Sequence, residues 1–115
     1  MTTKECYEKM GASYEDVLGR LGSEQIVSRF AKKFLNDMSF ENLRAALDKK
    51  DVTEAFRAAH TLKGVCVNLG FNNLYKVSSE LTEILRAGKL DGTEELFSEV
   101  EKQYDITTAA IRELE

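Results

Sequence analysis

The chain contains no proline in 115 residues. Proline ends helices and stiffens loops, because its ring clashes with the preceding turn and its nitrogen has no proton to donate. A chain without it can run long helices and must make its breaks with other residues, here seven glycines and a scatter of Asn and Asp. Apolar residues recur at threes and fours along nearly the whole length, and no stretch alternates as a strand would. The expected fold is therefore all-α, an antiparallel up-down four-helix bundle with short N-terminal helical additions. Residues 1–22 are expected to cover one end and 23–115 to form the bundle, the whole of 1–115 making one domain.

Inside that plan, helices are expected from Ser23 to about Asn36, from a Ser39 cap to about Lys49, and from an Asp51 cap to Gly70. A further helix is expected over about 72–87, and a last one after a Thr93 cap. Ser13, with Asp16 three residues on, reads as a cap within the cover. The last helix carries Phe97, Val100, Tyr104, Thr107, Ile111 and Leu114 at alternating spacings of three and four. Such a seam could zip a homodimer, but one run of this length more often packs inside its own bundle, so a monomer is expected.

Charge and cysteine content exclude several functions. Sixteen basic and twenty acidic residues are well mixed, with a net charge of −4, and no basic run suits nucleic acid. One histidine and two distant cysteines cannot close a metal site. No apolar stretch has the length of a membrane span, and the first residues lack the plan of a signal peptide. A cytoplasmic protein with free thiols at Cys6 and Cys66 is expected.

The run from Val52 to Leu69 holds that lone histidine. At 100° per residue, Val52, Ala55, Ala58, Ala59, Leu62, Val65, Cys66 and Leu69 share one apolar arc. His60 lies on the other side, among Thr53, Arg57, Gly64 and Val67, with Phe56 and Lys63 at the flank. A packing histidine would sit on the arc. Lys63, three residues on, can reach the same patch and neutralise an anionic group carried by the imidazole. Gly64, four residues on, leaves bare backbone beside the ring, at a helix cost of roughly 0.5–1 kcal/mol relative to alanine. That cost is intelligible if a bulky partner must approach. Thr53, Phe56, Arg57 and Val67 are then candidate rim contacts.

His60-x-Leu62-Lys63-Gly64, with Gly70 six residues beyond Gly64, resembles the signature of histidine-containing phosphotransfer (HPt) domains, helical bundles that shuttle a phosphoryl group between receiver-domain aspartates. The resemblance implies a phosphocarrier in a two-component phosphorelay. His60 would take a phosphoryl group on its outer ring nitrogen from a receiver's aspartyl phosphate and pass it to a second receiver. Lys63 would steady the charge and Gly64 would admit the partner. It also implies that the chain needs no cofactor of its own, Mg²⁺ belonging to the receiver. The chain departs from the family pattern after Gly64, where Val65, Cys66 and Val67 stand in place of small residues such as serine or alanine. No glycine-rich nucleotide loop is present, so kinase activity is not expected. Two rival readings are an adaptor that binds a receiver without accepting phosphate, and a piece excised from a larger kinase. Retention of Lys63 and Gly64 argues against the first, and the initiating Met1 with an apparently complete bundle against the second.

Overall fold

A computed structural model describes residues 1–114; Glu115, the last residue of the expected bundle span, lies outside the described residues. The chain folds as α1 (Thr3–Lys9), α2 (Tyr14–Leu21), α3 (Glu24–Lys33), a 3-10 turn (Phe34–Asn36), α4 (Ser39–Asp48), α5 (Val52–Leu69), α6 (Asn72–Arg86) and α7 (Thr93–Arg112). It is all-α: no strand occurs among the described residues.

Several helix starts follow from local chemistry. Thr2 and Glu5 exchange side-chain and backbone bonds in a capping box at α1. The Ser23 hydroxyl accepts from the Ile26 N–H, and the Asp51 carboxylate accepts from the Glu54 N–H at 3.1 Å. Two starts differ from expectation, and a third, Ser13, stands at the cap of α2 without a side-chain bond. Ser39 is the first residue of α4, not its cap, and its N–H is taken by the Asp37 carboxylate at 2.8 Å. Thr93 likewise lies inside α7, its hydroxyl donating back to the Leu90 carbonyl at 2.6 Å. The Ser13 side chain makes no capping bond. In each case spacing locates a polar residue near the helix start, while the backbone path decides which group faces the open N–H.

Helices α4, α5, α6 and α7 pack in chain order, each against the next. Two residues, Gly70 and Phe71, join α5 to α6, a link that permits only antiparallel neighbours. Gly70 is left-handed, at φ 72°, and a Cβ there would meet the Ser13 carbonyl oxygen at 2.9 Å. Glycine is required at this turn both by conformation and by close approach. Helix α3 packs mainly on α2 and the 3-10 turn, touching α5 and α7 only in places, so it thickens the end that α1 and α2 cover.

The core faces of α4 and α7 meet through large side chains. Six ring contacts link seven aromatic residues into one line: Tyr14–Tyr7, Tyr7–Phe71, Phe71–Phe34, Phe34–Tyr104, Tyr104–Phe40 and Phe40–Phe97. Phe40 stacks on Tyr104 with centroids 4.0 Å apart and is buried in the core. Offset and edge contacts of this kind add about 0.5–1.5 kcal/mol each beyond the area they bury. The α7 seam expected from the sequence is used here, within its own chain: Val100, Thr107 and Ile111 are buried, and Phe97 and Tyr104 stack on Phe40.

Helix α5 has neighbours on both sides, α4 and α6. Its buried residues are Ala55, Ala58, Ala59, Leu62, Cys66 and Leu69, as the apolar arc requires. The alanines let both neighbours come close. Truncating Leu62, fully buried, would cost about 2–5 kcal/mol.

Candidate functional site

The opposite face of α5 is open. His60, Gly64, Val67, Thr53 and Arg57 are exposed there, and Phe56 and Lys63 are half-buried. All seven residues expected at the site therefore share one face of one helix. They divide between two flanks. Phe56 and Val67 border α6, while Arg57 borders a groove shared with α4 that Asn42, Ala45 and Thr61 also line. Arg57 is held by Glu54 at 2.8 Å, so its charge is largely met by its own helix. Thr53 is exposed on the same face, one turn from Arg57.

The His60 ring lies against Phe56, with centroids 5.8 Å apart and planes within 19° of parallel. That contact follows from helix geometry, since side chains tilt toward the helix N-terminus and residues four apart stack. Among the described residues no hydrogen bond or ion pair engages His60, and none engages the ammonium of Lys63. A nucleophilic imidazole and a cation thus stand side by side without partners. Lys63 leans back along α5 toward the imidazole by the same tilt.

Gly64 has helical backbone, and nothing lies within 4 Å of where its Cβ would stand. The fold itself has no need of a glycine there. Its bare surface adjoins His60, with the partly exposed Val67 one turn further on.

Beneath this face, burial pushes the Cys66 thiol far above its ordinary range, so it stays protonated and does not compete as a nucleophile. No cluster of three or more His, Cys, Asp or Glu that could hold a metal occurs among the described residues. No helix among them is long and apolar enough to cross a membrane.

Two cations at the site escape sequence reasoning because they come from other helices. Arg86, in the last turn of α6, places its guanidinium carbon 5.0 Å from the centroid of Phe56. Arg20, on α2, donates from Nη2 to the carbonyls of Val67 and Asn68 at 2.8 and 3.1 Å, satisfying open acceptors at the C-terminal end of α5. A signal for Arg86 did exist: Phe56 and Arg86 lie at nearly equal distances on either side of the Gly70–Phe71 turn, and so at one level of an antiparallel pair.

Fold and site together define a class: a small helical bundle that displays one accessible imidazole beside a cation on an open helix face. Residues 29–110 match the family model of the Hpt domain, and the chain belongs to that family. No solved structure matches it. The family performs histidine-containing phosphotransfer in two-component systems, its members acting with receiver domains as carrier modules rather than as enzymes. The match begins inside α3 and ends inside α7, leaving α1 and α2 outside it.

Proposed function

We propose that the chain is one HPt unit that takes a phosphoryl group on His60 from a receiver's aspartyl phosphate and yields it to the aspartate of another receiver. The observation that carries this reading is the unpartnered imidazole of the one histidine, on an open face with the free Lys63 ammonium a turn away. A nucleophile held by other groups would have to be released before reacting; this one is ready.

In the forward step the lone pair of the outer ring nitrogen attacks phosphorus. The N–P bond forms as the P–O bond to the aspartyl carboxyl breaks, and the carboxylate leaves with the bonding pair. Transfer onward reverses these events on a second carboxylate, with imidazole as the leaving group. Such a reaction needs in-line positioning and charge neutralisation more than covalent machinery. Lys63 meets the charge on the phosphoryl oxygens, and Gly64 lets the receiver bring its aspartate within reach of the ring. Phe56, Val67, Thr53 and Arg57 form the rim that grips the receiver. The Mg²⁺ belongs to the receiver, and the chain itself carries no cofactor and no kinase activity. It acts as a monomer in the cytoplasm, where its receivers reside.

The test mixes the full chain with a phosphorylated receiver domain and follows intact mass, beside His60→Gln. One added phosphoryl group, lost in acid, kept in alkali and absent from the variant, is the expected result. Binding without any gain in mass across a broad panel of receivers would overturn the reading in favour of an adaptor.

A further inference from the structure

Val67 belongs to two surfaces at once. It is 47% exposed at the rim of the His60 face, and it also lines an open groove of about 240 Å³. Asp16 and Arg20 of α2 and Asn72 and Tyr75 of α6 line the same groove. Its α2 wall is held in place by three bonds to the end of α5. The Ser13 N–H donates to the Gly70 carbonyl at 2.9 Å, and Arg20 donates to the carbonyls of Val67 and Asn68. Helix α2 is therefore a fixed edge beside the site.

Distance decides whether a partner meets this edge. Val67 stands seven residues from His60, two turns or about 10 Å along α5. Even a small transient interface covers roughly 600 Å² per partner, a disc of about 14 Å radius. A receiver centred on His60 therefore covers Val67 and reaches α2. Two residues of α2 suit such contact. Gly19, three residues after Asp16 and so its neighbour on the helix surface, has helical backbone with nothing within 4 Å of its Cβ position. Like Gly64, it is a glycine that the fold does not require. Asp16 is exposed, and no hydrogen bond or ion pair engages it among the described residues. Arg20, by contrast, is turned to the negative end of α5. The free charge lining the groove is a carboxylate.

We propose that α2 is a receiver-selecting edge, where a receiver seats a Lys or Arg against Asp16, lays the apolar stem on Val67 and Tyr75, and passes closely over Gly19. This rests on the phosphoacceptor reading given above. Long cationic side chains pack their stems on apolar surface while the charged head finds its partner. A rim charge of this kind acts on the rate of encounter, and it rejects receivers that bring an acid to the same place. Helix α2 lies outside residues 29–110, which match the family model, so this selection belongs to the N-terminal addition rather than to the shared bundle.

The experiment follows phosphoryl uptake by the full chain, Asp16→Lys and Gly19→Leu. The donors are a panel of phosphorylated receivers that differ in charge around the aspartyl phosphate, and phosphoramidate, a small donor that transfers its phosphoryl group to imidazole with release of ammonia. Phosphoramidate is too small to span from His60 to α2, so loading from it should be the same for all three proteins, as should thermal midpoints. With receivers, Asp16→Lys should slow those with a basic edge by roughly tenfold and speed those with an acidic one, so that the order of preference changes. Gly19→Leu should slow the fastest receivers by bulk alone. A change of equal size across the panel for Asp16→Lys, or receiver rates unaltered in both variants, would overturn the role of α2 and leave His60 as phosphoacceptor. No loading of the unaltered chain, by phosphoramidate or by any receiver, would overturn the reading on which the proposal rests.

Discussion

The phenol of Tyr7 donates a 2.7 Å hydrogen bond to the carbonyl of Leu69, 62 residues away in the chain, where both groups are buried. This bond ties the first helix to the end of the helix that bears His60. The Ser13 N–H on the Gly70 carbonyl and Arg20 on the carbonyls of Val67 and Asn68 tie the same end. Loss of the phenol in Tyr7→Phe leaves a buried carbonyl without that donor, at a cost of about 1–3 kcal/mol. A denaturant midpoint shifted by that amount, with unchanged loading of His60 by phosphoramidate, is the expected outcome.

Gly64→Ala should separate folding from function. The added methyl meets nothing within 4 Å, and the helix gains roughly 0.5–1 kcal/mol from the loss of a flexible residue. The same methyl stands beside the imidazole where a receiver must approach. Higher thermal stability with slower uptake from a phosphorylated receiver, on the order of tenfold, is expected. An unaltered receiver rate in a stabilised variant would remove Gly64 from the site.

His60→Gln removes an exposed side chain that bonds to nothing else described. Its stability should remain within about 0.5 kcal/mol of the unaltered chain, while phosphoryl uptake is abolished. Calorimetry and intact mass on the same preparation check both halves.

Alkali should destabilise the fold through its buried acids. Burial pushes the Cys6 thiol up to about 11 from an ordinary 9.0, and it also raises Cys66 and Tyr7. Each is held neutral in the native state. The unfolded chain releases thiol protons from about pH 9 while the folded chain still keeps them, so the unfolded state gains. For Cys6, stability is fully present below pH 9 and falls between about 9 and 11. Urea midpoints measured from pH 8 to 10.5 should decline, and decline less in Cys6→Ala.

Much of this was legible in the sequence because it is carried by one helix at a time. The apolar arc of α5, the Asp51 cap, the left-handed Gly70 and the shared face of His60, Lys63 and Gly64 all follow from periodicity within a single segment. What was not legible lies between segments. Arg20 reaches Val67 from α2, Arg86 reaches Phe56 from α6, and Tyr7 reaches Leu69 from α1. Periodicity within one helix shows none of these; only the near-equal distances of Phe56 and Arg86 from the Gly70–Phe71 turn point to one of them. The caps at Ser39 and Thr93 failed for a smaller reason, a shift of one residue in where each helix begins.

The line of aromatic rings has an optical consequence. The chain has no tryptophan, so its intrinsic fluorescence comes from four tyrosines. Tyr7, Tyr14 and Tyr104 belong to the ring line and emit from the interior of the fold or its covered end. Tyr75 stands apart, in the groove that Val67 and Arg20 also line. Emission from the first three therefore follows unfolding, and a change confined to Tyr75 follows whatever settles beside Val67, so that one spectroscopic signal carries two reporters in separate places.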